Sequence, residues 1–345
     1  MKGIGIWAHS RCRSTFGLYR EVMRQAGVPV RIFLCKGAPE LRTRQGLSPD
    51  EYADVPAEIV SEDWLAARRI LDETKGWAHV VCAYQVSKVC QQVMRVAHAR
   101  GDRVVVYSEA PAEMCLGLKA VLKRLYYRFV LPWRMRFLVR CADLILNQSG
   151  MAGVDRLVRI GWRRERIVPF GYVTERLAPG TREASVRRSG GASLRVLHLG
   201  NEVPYRGVRV AEAAVAILRG RGISVELVRT GGSLPLSDVI GEIRRADVVV
   251  ACGLCEPWGM RVNDALMEGT PVIVSDGMGV AWLVTQFGCG CVVPKGDADA
   301  LANVLERFSR DGEFREALRA GVACAREEWT PVKRAKELLR YVLPQ

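Results

Sequence analysis

One stretch constrains the fold of this 345-residue chain more than any other: Glu256 to Gly279, E-P-W-G-M-R-V-N-D-A-L-M-E-G-T-P-V-I-V-S-D-G-M-G. A short apolar run, Val248-Val249-Val250, leads towards it as a strand and meets a turn carrying Glu256, Pro257 and Gly259. Val262, Ala265 and Leu266 then recur at the spacing of one helix face, and Gly269-Thr270-Pro271 stops that helix. Val272 to Val274 reads as a second strand, ending in the turn Ser275-Asp276-Gly277-Met278-Gly279. A helix that starts directly after a strand presents backbone N–H groups and the positive end of its dipole, a seat for phosphate. Glu256 stands just before that seat and Asp264 about two turns into the helix. That separation suits gripping two parts of one long, hydroxylated, phosphate-centred ligand, the shape of a sugar nucleotide. The plainer alternative is that both acids are solvated flanks of the helix.

A chain of this length suits one large or two medium domains. The 49% hydrophobic content, with strand-like and helix-like segments in alternation, points to α/β layering. No apolar run approaches the length that spans a bilayer. The start, Met1-Lys2-Gly3-Ile4-Gly5-Ile6-Trp7, enters a strand after one charge, so a signal peptide is not expected. Eleven cysteines, an odd number scattered through strands and helices, argue for a reducing cytosol. Cys252 and Cys255 have C-x-x-C spacing, and Cys289 and Cys291 follow in a glycine-rich turn. A structural zinc site is one reading of the four, although C-x-C is not the usual second half; small apolar residues at strand–loop junctions are the other. The formal net charge of +14 calls for an anionic partner: nucleic acid, a membrane surface or a highly charged small substrate.

The Glu256 stretch resembles the nucleotide-sugar signature of the retaining glycosyltransferases of family 4, which have the GT-B fold and read E-P-x-G-x-x-x-x-E-A-x-x-x-G-x-P-V. Glu256, Pro257, Gly259, Ala265, Gly269, Pro271 and Val272 fall on that frame, and Asp264 stands where the family has its second Glu. The resemblance implies that Glu256 contacts the donor sugar and Asp264 the ribose, with Trp258 and Met260 beside them. Upstream, a strand from Leu194 to Leu199 precedes Gly200-Asn201-Glu202-Val203-Pro204-Tyr205-Arg206-Gly207, which aligns with the family's G-R-x-x-x-x-K-G. The two cations of that pattern neutralise the donor diphosphate. Arg206 replaces the Lys and keeps a bidentate phosphate clamp. Asn201 replaces the Arg and removes a charge that Arg11, Arg229 or Arg261 would have to supply. Gly231, after a strand from Val225 to Arg229, completes the donor set. One helix, Leu236 to Arg245, fills most of the space before Asp247, where the family inserts a further strand that holds the base. Pro294-Lys295-Gly296-Asp297 and helices from Asp299 and Phe314 follow the family's closing pattern, and a last helix, Lys333 to Tyr341, is expected to cross back to the first domain.

In the first half, residues 3–8 read as a strand and a helix runs to Gln25, with Val28 to Leu34 the next strand. The loop between carries His9, Arg11 and Arg13 where the family has a Gly-Gly pair. The two arginine forks suit a phosphate or an anionic acceptor, or are surface residues; His9 is a cleft-wall histidine or a base. Trp64 to Glu73 and Ser87 to Arg100 read as helices, Ala78 to Ala83 and Val104 to Tyr107 as strands. Groups at the carboxyl ends of such strands face the ligand crevice. Glu109, in Ser108-Glu109-Ala110-Pro111, is therefore the candidate for touching the acceptor or the reacting sugar, helix capping being the alternative. Ala142 to Leu146 is a further strand, and Ile167-Val168-Pro169-Phe170-Gly171 resembles the I-P-N-G that ends the family's first domain.

From Met114 to Arg140 the chain carries Lys119, Lys123, Arg124, Arg128, Arg134, Arg136 and Arg140 without an acid, interleaved with leucines and aromatics at helical spacing. This predicts a basic amphipathic helix broken near Pro132 that lies on anionic lipid. A core helix with a solvated basic edge is the alternative.

The expectation is therefore α/β, GT-B: two Rossmann-like domains facing an interdomain cleft. The first spans 1–173 with a crossover helix 330–345, the linker 174–193, the second 194–329. The expected reaction is sugar transfer, retaining and metal-independent, from a UDP- or GDP-linked donor to a glycan or lipid-linked acceptor at the cytoplasmic membrane surface. Glu256, Arg206 and Glu109 are the catalytic candidates, and no cofactor beyond the co-substrate is expected. A GT-B protein that binds a sugar nucleotide without transferring it, and a basic nucleic-acid-binding protein, stay open as alternatives.

Overall fold

The computed structural model describes residues 1–36, 52–112, 114–176, 193–200, 203–231 and 234–344. Its strands are short, rich in Val, Ile and Leu, and buried along most of their length, which suits parallel sheets covered by helices on both faces. The first sheet contains β1 (Ile4–Ala8), β2 (Val30–Leu34), β3 (Glu58–Ile59), β4 (Ala78–Val81), β5 (Val104–Ser108), β6 (Leu144–Asn147) and β7 (Ile167–Pro169). Their order is β3-β2-β1-β4-β5-β6-β7, and every pairing is parallel. The second contains β8 (Leu194–His198), β9 (Val225–Arg229), β10 (Val248–Ala251), β11 (Val272–Ser275) and β12 (Gly290–Val293), all parallel in the order β12-β11-β10-β8-β9. Two doubly wound α/β lobes result.

Helix starts follow local capping chemistry: the Asp63, Ser87, Asp297, Asp311 and Thr330 side chains each accept a backbone N–H from the first turn they precede. The last of these helices, Pro331–Val342, packs on α1 (Arg13–Gln25), and Arg103 secures its end by donating to the Tyr341 carbonyl at 2.8 and 3.1 Å.

Two expectations change. The basic segment is not broken near Pro132. Helix α2 (Leu118–Leu125) passes through a π-helical turn, Tyr126–Val130, into α3 (Leu131–Met135). Proline stands in the first turn of α3, where a missing N–H costs little, and the wider π turn takes up the strain of its ring. Cys291 lies in strand β12 rather than in a turn. Among the described residues no cluster of His, Cys, Asp and Glu is placed to hold a metal ion.

The lobes meet over aromatic rings. Trp258, Trp282 and Trp329 pack together with centroids 5.7 to 6.5 Å apart. Gly171, at φ +74°, lies against the Trp258 ring, and a Cβ there would stand 2.3 Å from it. The Tyr172 carbonyl accepts from Asn263 Nδ2 at 2.8 Å and from Trp329 Nε1 at 2.7 Å. Arg334 is buried between the Phe170 and Trp329 rings and donates to the Phe170 carbonyl at 2.6 Å. One continuous apolar cluster, from Ile4 and Tyr107 to Trp258 and Val284, therefore runs through both lobes.

Candidate functional site

Two loops at the carboxyl ends of the neighbouring strands β8 and β10 build the second-lobe wall of the cleft. Gly207, at φ +72°, caps helix α4 (Val208–Gly220), and a Cβ there would stand 2.0 Å from the Cys252 carbonyl oxygen. Only glycine lets the first loop close on the second. Leu254 N donates to the Tyr205 carbonyl at 2.7 Å and ties the loops together. Glu256 is held by its own backbone, donating to Gly277 O at 3.0 Å and accepting from Gly279 N at 3.2 Å. Arg206 Nη1 thereby comes within 3.1 Å of Glu256 Oε1, the carboxylate almost buried and the guanidinium partly open. Burial pushes the Glu256 carboxyl above its usual range, and Arg206 opposes that shift. Helix α5 (Met260–Met267) begins directly after the turn, capped by Gly259 at φ +111°. His198, whose Nε2 stands 3.4 Å from the Arg206 carbonyl oxygen, is buried, and burial lowers its pKa.

Across the cleft, Glu109 follows β5. The Tyr172 hydroxyl donates to Glu109 Oε1 at 3.0 Å, and Gln85 Nε2 donates to the Glu109 carbonyl at 2.8 Å. Burial raises the Glu109 carboxyl above its usual range; Tyr172 and Arg156 pull it back, and the charge of Glu256 adds to the rise. The two carboxyls thus feel one another across the gap. Glu109, His9, Gln148, Tyr172 and Pro257 line a cavity of about 370 Å³, to which both lobes contribute. That size is in the range of small-molecule sites.

Other candidates fall elsewhere. The Asp264 carboxylate is buried and faces Arg13 Nη1 at 2.6 Å and Arg261 Nη1 at 3.5 Å, so an arginine from the opposite lobe occupies the place assigned to a ribose. Arg13 also donates to the Glu175 carbonyl at 2.8 Å. Arg11 is not aimed at the cleft: it donates to the Tyr52 and Val55 carbonyls and lies over the Phe16 ring, bracing that segment. Trp258 is not a donor contact, because its ring is 1% exposed at the joint and its Nε1 donates to Asn263 Oδ1 at 2.9 Å. Arg229 pairs with Glu212 on an exposed face. Gly200 lies under the Arg206 side chain, Gly231 is exposed after β9, and Met260 opens α5 half-buried. Asn201 is outside the described residues. Tyr172 and Arg156, which sequence reasoning did not single out, carry no local motif; only the fold brings them to Glu109.

The segment Leu118–Met135 lies on the surface. Ala120 is the buried residue of α2, whereas Leu118 is 74% exposed, Phe129 65% and Trp133 65%. Lys119, Lys123, Arg124 and Arg128 are exposed among them. The alternative of a core helix with a basic edge does not hold. Large apolar side chains exposed together on one segment of a folded protein are what interaction surfaces present. Among the described residues no helix is long and apolar enough to cross a membrane.

Residues 221–322 match the family model described as glycosyl transferases group 1. Over 205 residues the chain is 24% identical to the lipopolysaccharide core biosynthesis glycosyltransferase LpsE of Rhizobium meliloti, covering 54% of this chain and 59% of that protein. The chain thus matches about three fifths of the length of this curated relative. Among solved structures, Anabaena HepE in complex with UDP is similar with a TM-score of 0.65 at 12% identity, over 99% of both chains. Sucrose-phosphate synthase from Thermosynechococcus elongatus gives 0.62 at 15% identity, over 99% of this chain and 98% of that one. WaaG, a glycosyltransferase involved in lipopolysaccharide biosynthesis, gives 0.54 at 13% identity, over 99% of this chain and 100% of that one. These likenesses, with the two parallel sheets, establish the expected GT-B fold.

Proposed function

We propose that this chain is a glycosyltransferase that moves a sugar from a nucleoside-diphosphate donor on the second lobe to an acceptor presented by the first. The observation that carries this reading is the meeting of Arg206 and Glu256 at 3.1 Å beside the start of α5, opposite Glu109. The match to the group 1 model over 221–322 supports it, as do the complexes of HepE with UDP and with UDP-glucose.

In this reading Arg206 and the first N–H groups of α5 stabilise the charge that develops on the departing diphosphate of a UDP- or GDP-linked sugar. Glu256 holds the sugar hydroxyls, so that the anomeric carbon faces the acceptor and its configuration is retained. Donor binding exchanges the Arg13–Asp264 pair for a ribose on Asp264, and Arg13 turns to the phosphates. Glu109, fixed by Tyr172, orients the incoming hydroxyl. The exposed apolar and basic segment brings this lobe to an anionic lipid surface at the inner face of the cytoplasmic membrane. There each basic residue contributes about 1 kcal/mol, and the acceptor is lipid-linked.

A thermal-shift series with UDP, GDP and their sugars tests the reading, since a ligand that binds only the folded state at a hundredfold excess over its Kd stabilises by about 2.7 kcal/mol. Arg206→Ala is expected to abolish the nucleotide shift and transfer together. Glu256→Gln is expected to keep the nucleotide shift and lose transfer. If no nucleoside diphosphate shifts the wild type, the proposal fails. Binding without hydrolysis or transfer of any donor would favour a binding protein, the outcome to which the closed Arg13–Asp264 pair points.

A further inference from the structure

Behind the exposed segment lies a second cavity, of about 390 Å³. Arg124, Tyr127 and Arg128 form one wall; Arg156 and Arg159, from helix α6 (Val154–Arg159), form the other with Ile160. Among the described residues that line it, four are arginines. Guanidinium groups brought to one space from two separate elements make a positive local potential that favours an anion there. Arg156 Nε is buried without a hydrogen-bond partner, a condition that native structures seldom leave unexplained. The planar forks of arginine match phosphate oxygens two at a time. Leu122, Leu125 and Phe129, on the same helical run as Arg124 and Arg128, are all exposed. On its inner side Pro111 and Tyr127 also line the cavity that holds Glu109.

We infer that this cavity binds the phosphomonoester or pyrophosphate of an amphiphilic acceptor whose apolar part lies on the exposed segment. The site is cationic, has apolar side chains exposed on the segment that forms one of its walls, and shares Pro111 and Tyr127 with the cavity that holds Glu109. A phosphate held there anchors the acceptor with its sugar end towards Glu109. The identity of the ligand as acceptor rests on the proposed transferase reading; the existence of the phosphate site does not.

Vesicle sedimentation tests it. Phosphatidylcholine vesicles are doped either with phosphatidic acid, a phosphomonoester, or with phosphatidylglycerol, a diester, at matched surface charge. The wild type is expected to prefer phosphatidic acid. The R156Q/R159Q variant is expected to bind those vesicles about tenfold more weakly and the phosphatidylglycerol vesicles unchanged, as for loss of a charge-assisted hydrogen bond. R159Q alone, altered at an exposed side chain, serves if the first variant melts early. Inorganic pyrophosphate is the competitor: displacement assigns the site to phosphate alone, and none, with the preference still lost in the variant, assigns it to phosphate at a lipid surface. Equal binding of the two vesicles by the wild type, or a preference that survives both variants, overturns the inference. The UDP and GDP thermal shifts are measured on the same samples; if they are absent while the preference holds, the transferase reading fails and the phosphate site stands.

Discussion

The two lobes share one plan, parallel strands sandwiched by helices, yet their facing walls are made of different material. The second lobe's wall is main chain on main chain: a Cβ at Gly277 would stand 2.5 Å from Gly253 O, and one at Gly279 would stand 1.9 Å from Pro257 O. The first lobe's wall is side chain: Arg13, Glu109, Tyr172 and the projecting segment Leu118–Met135. Closely packed backbone accepts few substitutions and holds one shape, which suits a ligand part that never changes, such as a diphosphate. Side chains on an exposed helix can be exchanged without disturbing the sheet beneath, which suits a partner that differs from one relative to another.

Charge reversal at Lys119, Lys123, Arg124 and Arg128 should separate the walls most sharply. Four basic residues at about 1 kcal/mol each predict at least a thousandfold loss of binding to anionic vesicles, with the nucleotide-induced thermal shift unchanged. If vesicle binding survives, the exposed segment is not a lipid-facing surface. Next in size is Trp258→Ala, which empties the joint and should lower stability by about 4 kcal/mol in chemical denaturation. A loss below about 1 kcal/mol would mean that the lobes do not depend on that ring. Arg13→Met takes from the buried Asp264 its partner at 2.6 Å, leaving Arg261 at 3.5 Å, and should cost about 3 kcal/mol, most of it recovered in Arg13→Met/Asp264→Leu. Strictly additive losses in the double variant would show that the pair is not coupled.

The smallest effect is on pH dependence. In the first lobe, His79 accepts from Trp7 Nε1, and burial pushes it down to about 4. Its folded pKa lies below the unfolded value, so its contribution is present above about 6.5 and is lost as pH falls towards 4. The slope is at most one proton, about 1.4 kcal/mol per pH unit. Glu256 and Glu109 run the other way. Their carboxyls are raised by burial, so they favour the folded state at low pH and lose that contribution as pH rises through their folded values. His79→Gln should therefore flatten the acid limb of a denaturation series, whereas Glu256→Gln should flatten the limb above the ordinary carboxylate range. An acid limb as steep in His79→Gln as in the wild type would assign the loss to another group.

Much of this was legible from residues alone, for reasons that differ between the walls. The helix Leu236–Arg245 and the strand Val225–Arg229 begin and end where their apolar spacing and flanking turns place them. The pairing of Arg206 with Glu256 follows from two glycine-punctuated loops after adjacent strands. Trp258 was misplaced because a variable position in a motif says nothing about which way its side chain points. The Arg13–Asp264 contact links residues 251 apart, a distance over which local pattern carries no information. Strand β12 escaped notice because Gly290 and Cys291 are poor strand signals; tertiary pairing with β11 overrides them. The segment Leu118–Met135 read correctly as amphipathic, but its composition alone did not decide between core and surface.

The chain has eight tryptophans, and three of them, Trp258, Trp282 and Trp329, sit together where one lobe leans on the other. Indole emission responds to nearby carbonyls, charges and water, and this trio is surrounded by Tyr172 O, Arg334 and each other's rings. The molecule therefore carries its own optical gauge: any hinge motion that parts the lobes alters intrinsic fluorescence, so opening can be timed in a stopped-flow mixer without attaching a dye.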